Sequence, residues 1–385
     1  MKFSLTVGVA SYFTHVFGQD LLGGVLSYAA QRTSPTWEIL PINPDTLRPN
    51  WRDDNLPFHL DGLILGGHSP LHPIENLSLT IPVVDVRNCL TDMEDVPSVK
   101  LNDRHIGRIA AQAALDAGYT HFWFADSRNR RFSVLRQAGF EETLAQHGHY
   151  ADHWRMVDDE TFQGTINDWI RRLPAGTAVF CANDQRAYCV YQGCARTGRI
   201  PGRQIGIIGV DNDPVHLSPV PISLTTIAPN FQNSGIMAAR TLHNIIRGVP
   251  PPSMHQHNAT ANLIPGDSLI DFRQVHSAIS REICRHIPTH VREGIPLPDL
   301  LKSVKRSASK IQETFHQETG LTLQKAIFAE KMGYAAELLR KTNQSSDEIA
   351  EKLGYHTPRY FGKCFKKYYR ESPLKYRADA QKPSE

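Results

Sequence analysis

Six short apolar runs punctuate the first 270 residues: LTVGVA (5–10), GLILGG (62–67), PVVDV (82–86), HFWFAD (121–126), AVFCAND (178–184) and IGIIGVDND (205–213). Each is continuous instead of alternating, and a continuous apolar run suits a strand buried on both faces of a parallel sheet. Helical periodicity fills the intervals at 21–31, 106–117, 133–146, 165–173 and 185–196. Repetition of strand, helix, strand predicts an α/β doubly wound architecture. A further helix follows Asn230 and runs to Arg247, where VPPPSMHQHNATANLIPGDSLIDF stops it, because three consecutive prolines cannot enter a helix. Part of that stretch is expected to return to the sheet as a strand, with the connection between domains at 267–274. Beyond it the pattern is helical to the end, at 275–290, 298–304, 307–318, 322–342, 346–353 and 358–369.

A chain of 385 residues exceeds the roughly 100 to 200 of one typical domain, and the change of pattern divides it into 1–268 and 269–385. Its 41% hydrophobic and 21% charged residues lie near globular averages and exclude a disordered chain. The net charge of +3 hides an asymmetry: residues 271–385 carry 21 Lys and Arg against 14 Asp and Glu, and residues 1–270 carry 21 against 25. A basic helical end points to nucleic acid as a partner. The cysteines, Cys89, Cys181, Cys189, Cys194, Cys284 and Cys364, are scattered without a CxxC pair, which suits a reducing cytoplasm and no disulfide framework. His255-x-His257 and His286-xxx-His290 have no obvious third ligand, so neither a metal nor a cofactor is expected. The start MKFSLTVGVA reads as a first strand and not as a secretion signal, since Ser11, Thr14 and His15 cut the apolar run short. No run of 18 apolar residues is present, so no membrane span is expected.

Polar residues gather where the expected strands end: Ser11 and Tyr12, His68 and Ser69, Asp85 with Arg87 and Asn88, Asp126, Asn183 and Asp184, Asp211 and Asn212. In open α/β sheets ligands bind in the crevice beyond the carboxyl ends of the strands. Helix capping is the competing reading for any one of these residues. As a set, with Arg136 on a neighbouring helix, they describe a cleft for a ligand rich in hydroxyls.

The stretch IAEKLGYHTPRYFGKCFKKYYRESP (349–373) has the pattern of a helix-turn-helix. Ile349, Ala350 and Leu353 give one apolar face, Gly354 permits the sharp turn, and Tyr360, Phe361 and Phe365 point the second helix inward. Its other face carries His356, Arg359, Lys363, Lys366 and Lys367, cations that satisfy phosphates and, near the helix start, base edges. A similar unit lies at 298–318, where Ile311 and Phe315 are spaced as Phe361 and Phe365 are. The helix expected at 322–342 between them would span about 30 Å, close to the 34 Å between successive major grooves on one DNA face.

These residues carry a resemblance. The C-terminal part resembles the AraC family of bacterial transcription regulators through Ser307, Ile311, Phe315 and Gly320, then Ala335, Leu338 and Leu339. The second unit matches through Ile349, Ala350, Leu353, Gly354, Tyr355, Tyr360, Phe361, Phe365, Lys366, Pro373, Tyr376 and Arg377. Glu313 and Lys331 depart from it, each standing where the family usually has Arg. The resemblance implies DNA contacts from Arg306, Ser307, Ser309 and Lys310 in the first unit. In the second it implies them from His356, Thr357, Arg359, Tyr360, Lys363, Lys366 and Lys367. The segments SLTVGVAS, VVDV, SVLRQAGF, CANDQRA, IGIIGVDND and LTTIAPN are similar to the sugar-sensing core of the LacI family and of periplasmic binding proteins. That likeness implies effector contacts from Ser11, Tyr12, Asp85, Arg136, Asn183 and Asp211, with Asp184 either a contact or a helix cap.

The fold expected is therefore an α/β two-lobed, periplasmic-binding-protein-like sensor followed by an all-α double helix-turn-helix domain. The function implied is a cytoplasmic, homodimeric transcription regulator that binds a double-stranded DNA operator under control of a small sugar, xylose or a relative. The competing reading is a sugar-processing enzyme fused to a DNA-binding tail. Against it, the chain has no GxxxxGK[ST] loop and no GxSxG elbow, and His59 and His68 have no nucleophile nearby, so no catalytic residue is assigned.

Overall fold

The computed structural model describes residues 4–32, 35–44, 59–66, 80–86, 95–126, 130–154, 162–174, 176–251, 253–270, 277–294, 298–299, 301, 304, 306–319, 322–369 and 372–380. Two six-stranded sheets build the α/β part. The first contains β1 (Ser4–Ala10), β2 (Thr36–Ile42), β3 (Gly62–Leu65), β4 (Val83–Val86), β5 (Ser98–Leu101) and β11 (His255–Asn258), in the order β11-β5-β4-β3-β1-β2. Its strand pairs are parallel throughout. The second contains β6 (His121–Ala125), β7 (Ala151–Trp154), β8 (Thr177–Cys181), β9 (Ile205–Val210), β10 (Thr225–Pro229) and β12 (Ala261–Ile264), in the order β12-β10-β9-β8-β6-β7. Pairing there is parallel from β7 through β9, and β12 runs antiparallel to β10.

All six apolar runs become strands, and β3, β8 and β9 are buried along their whole length, as continuous runs should be. The helices between them are α1 (Val16–Ala30), α2 (Asp103–Asp116), α3 (Arg131–Gln146), α4 (Phe162–Ile170), α5 (Asp184–Thr197), α6 (Pro214–Leu217) and α7 (Phe231–Ile246). The proline-rich stretch supplies two strands, β11 and β12, one to each sheet. Strands β2, β5, β7 and β10 lie outside those six runs. β2 is a half-exposed edge strand that tolerates Pro41, and β7 is the four-residue segment ADHW.

Contacts divide the chain into two compact units, 1–109 with 209–221 and 226–264, and 110–208 with 222–225 and 265–385. In the first, Val7, Val9, Ile64 and Val84 of the sheet pack on Leu21 and Val25 of α1 and on Phe231 and Leu242 of α7. The two helices touch at Gly24 and Gly235, where a Cβ on either would collide with backbone of the other helix, at Gln232 O and Leu21 O. In the second unit Phe124 and Phe140 bracket Phe180, with ring centroids 5.4 and 5.1 Å from it.

The C-terminal helices are α8 (Ala278–Glu293), α9 (Ala308–Thr319), α10 (Leu323–Lys341), α11 (Ser346–Lys352), α12 (Pro358–Tyr369) and α13 (Pro373–Ala380). They share one core, with Ile283, Ile311, Phe315, Met332, Leu339, Ile349, Phe361 and Phe365 fully buried. Of the helix expected at 298–304, residues 298, 299, 301 and 304 are described, and the first three are helical.

Candidate functional site

On the second sheet the polar strand ends form a buried cluster. Asp126 follows β6 and accepts from Ser133 Oγ on α3. One turn on, Arg136 is fully buried. Its Nη1 donates to Ala182 O at the end of β8 (2.6 Å), and its guanidinium lies 4.9 Å from the Phe132 ring centre. Asn183 is the N-cap of α5: its Oδ1 accepts from Arg186 N at 3.1 Å. The capping role thus falls to Asn183 and not to Asp184, which is buried in the first helical turn, where the helix dipole favours a carboxylate.

The other candidates belong to the first unit. Ser11 is buried after β1 and donates from Oγ to Gly66 O (3.3 Å), and Tyr12 beside it is half-buried. Asp85 is buried on β4, in register with Ser98. After β9 the backbone turns through Asp211 at φ 107° and Asn212 at φ 54°, a region costly to most side-chain-bearing residues that Asp and Asn enter more readily than others. Asp211 N donates to Ile227 O and Asn212 N to Thr226 Oγ1, which fixes the turn, and Asp213 caps α6. His68, Ser69, Arg87 and Asn88 lie outside the described residues.

The second helix-turn-helix is α11 and α12. Helix α11 starts on a capping box: Ser345 Oγ accepts from Glu348 N (3.2 Å), and Glu348 Oε2 accepts from Ser345 N (2.6 Å). The bond from the Ser345 amide, and after it the one the Ser345 hydroxyl donates to Glu348 Oε2 (3.0 Å), hold the Glu348 carboxyl below its ordinary pKa. The turn passes through Gly354 at φ 72°. Lys331 of α10 donates from Nζ to Leu353 O at 2.6 Å, satisfying an orphan carbonyl at the helix end, and burial lowers its pKa. Lys331, standing where the family it resembles usually has Arg, thus closes the turn with one donor.

Phe361 and Phe365 face the core, and on the opposite side His356, Thr357, Arg359, Lys363, Lys366 and Lys367 are exposed. Tyr360, expected to turn inward, is 59% exposed and joins that outer face. In the first unit Arg306, Ser307, Ser309 and Lys310 are exposed around the start of α9, and Ser307 Oγ accepts from Lys310 N (3.3 Å). Glu313, one turn further, pairs with Lys310 at 3.2 Å. Both partners are exposed, so the pair is worth little, but it places a carboxylate beside one of the few cations of this unit. The second unit presents the denser positive face.

Two buried histidines, His243 and His290, and the half-buried His149 give the molecule an acid limit. Burial first, and neighbouring cations after it, push the pKa of His243 and His290 below the ordinary value; for His149 the neighbours are His121, His147 and Arg292. A depressed pKa means the unfolded chain binds protons that the folded chain refuses. The stability is full above about pH 6.5 and is lost as pH falls from there through the folded values. Thermal melts stepped downward from neutral pH are expected to show a falling Tm that begins near the ordinary histidine pKa. A flat profile down to the carboxylate range would contradict this.

Comparison with known proteins agrees with the geometry. The profile of a periplasmic binding protein-like domain matches residues 104–269, and that of a helix-turn-helix domain matches 300–379. The xylose operon regulatory protein of Escherichia coli K12 is 25% identical over 264 residues, 67% of this chain and 67% of the relative. Its namesake in Haemophilus influenzae is 23% identical over 389 residues, 94% and 95% of the two chains. Among solved structures, that of the xylose-binding transcription activator XylR covers 98% of this chain and 99% of its own, with a TM-score of 0.62 at 22% identity. Taken with the paired units and their exposed cations, these likenesses identify the chain as a DNA-binding transcription regulator that joins a periplasmic-binding-protein-like domain to an AraC-type helix-turn-helix domain.

Proposed function

We propose that the chain is a cytoplasmic, homodimeric regulator and not an enzyme, in which residues 1–268 bind a small neutral sugar, xylose or a relative, and residues 269–385 bind an operator. The observation that carries the sugar reading is Arg136: a fully buried guanidinium held at the carboxyl end of β8, beside Asn183 and Asp184. A neutral polyol has many hydroxyls and no charge. Burying it requires charged and amide groups that pair each hydroxyl, because an unpaired one is costly in a dry site. Ser11, Tyr12, Asp85, Arg136, Asn183, Asp184 and Asp211 supply acceptors and donors of both kinds. The names of the relatives favour xylose.

Isothermal titration of the full chain with xylose, arabinose, ribose and glucose tests this. One pentose is expected to release heat in a saturable curve. Arg136→Ala and Asp211→Ala are each expected to weaken it by about 1.5 to 3 kcal/mol, the range for hydrogen bonds to charged groups, with sugar-free DNA affinity nearly unchanged. A well-folded protein that gives no heat with any neutral sugar contradicts the reading.

A further inference from the structure

Within the second unit, the edge strand β7 is bonded to three of the C-terminal helices through one side chain. Asp152 Oδ1 accepts from Arg340 Nη1 of α10 and from the Tyr376 hydroxyl of α13, both at 3.1 Å, and Oδ2 accepts from the Tyr369 hydroxyl of α12 at 3.2 Å. Arg340 Nη1 also donates to Ala151 O (3.3 Å). Around this hub, Tyr368 donates from its hydroxyl to Arg172 O (2.9 Å), Arg172 returns a bond to Tyr368 O (3.1 Å), and His121 of β6 meets Glu330 of α10 at 2.6 Å.

The chemistry of the hub is complete. Burial alone would lower the Arg340 pKa, but Asp152 and the two phenols beside it raise it, so the guanidinium is always charged. Burial pushes the Tyr369 hydroxyl well above its ordinary value, so it remains a donor. One carboxylate therefore satisfies a cation and two phenols from three separate helices. An uncompensated guanidinium would be left if it were removed.

We propose that Asp152 is a positioning residue that fixes the carboxyl end of the DNA-reading helix α12 to the second sheet, so that a change at the strand ends of that sheet reaches α12 through a short rigid path. The path is visible in the register. Asp152 lies opposite Trp123 of β6, Trp123 stacks on Tyr369 with centroids 6.4 Å apart, and the chain runs on from Trp123 through the end of β6 to Asp126 in the strand-end cluster. Three residues of strand cover about 10 Å. The proposal rests on the reading of that cluster as part of the effector site.

Two arms on the full chain separate the two claims. Hydrogen exchange of Asp152→Asn against wild type needs no sugar. Faster exchange is expected at 366–369, with α9 unchanged; equal protection of α12 in both proteins overturns the positioning role. The second arm is the ratio of operator affinities with and without the sugar found by titration. Asp152→Asn is expected to bring that ratio to within about twofold of one, from the 5- to 150-fold typical of coupled sites, while sugar affinity measured alone stays within about twofold of wild type. A wild-type ratio in the variant overturns the proposal. Should Asp152→Asn fold poorly, the double variant Tyr369→Phe, Tyr376→Phe removes two of the three donors, keeps both rings and is read against the same two outcomes. If wild type ignores every sugar but the exchange change at 366–369 is present, the positioning role stands and the effector reading is the one that fails.

Discussion

Phe365→Ala is expected to unfold the second helix-turn-helix, at a cost of about 3 to 5 kcal/mol. The side chain is fully buried, and its ring meets Tyr369 at 4.7 Å, Tyr376 at 5.4 Å and Phe361 at 5.8 Å between centroids. Truncation removes a large apolar surface and opens a hole where α12 and α13 meet, and rings clamped by hydrogen bonds on their far side cannot collapse into it. The cost is comparable to the whole stability of a small domain. Urea denaturation followed by tyrosine and tryptophan fluorescence measures it, and operator binding should vanish with it. A variant that melts as wild type does would show that α12 is not seated as described.

A second large effect is expected on DNA and not on stability. Lys363 and Lys366 are exposed on α12. Each phosphate a lysine neutralises adds about 0.9 to the slope of log affinity against log salt, so replacing both with Ala should flatten that slope by about 1 to 2 units. The loss should be alike on operator and scrambled duplexes, because phosphates carry no sequence information. Arg359 stands near the start of the same helix, where side chains reach base edges, and its loss should cost about 1 to 3 kcal/mol mainly on the operator. Fluorescence anisotropy at several salt concentrations distinguishes these outcomes. An unchanged slope in the double lysine variant removes Lys363 and Lys366 from the DNA interface.

Strands β1, β3, β4, β6, β8 and β9 and nearly every helix were legible because burial on both faces writes itself as an apolar run, and packing on one face writes itself as a 3.6-residue period. Strands β2, β5, β7 and β10 were not: β2 and β7 are edge strands of alternating or polar residues, and the interior strands β5 (SVKL) and β10 (TTIAP) are short and interrupt their apolar residues with Ser, Lys or Thr. The strand-end side chains could be named from the sequence, but their division of labour could not. Which of Asn183 and Asp184 caps α5 depends on backbone angles at one residue, and the left-handed turn at Asp211 and Asn212 depends on what β10 offers those amides. Tyr360 is apolar enough to suggest the core, and only the rotation of α12 shows that it faces outward. The hub at Asp152 had no signal at all: its acceptor and the Arg340 donor stand 188 residues apart, and neither lies in a motif that implies the other.

The same hub limits how this regulator can be recombined. A cut near residue 268 looks like a clean seam, and the helices beyond it look like a cassette that could be transplanted behind any other receptor. Yet the face of α10, α12 and α13 that carries Arg340, Tyr368, Tyr369 and Tyr376 takes its partners from Ala151, Asp152 and Arg172. A chimaera that swaps the receptor must bring the β7 edge along, or redesign that face as a water-compatible surface. The portable piece of this chain is larger than its DNA-binding helices.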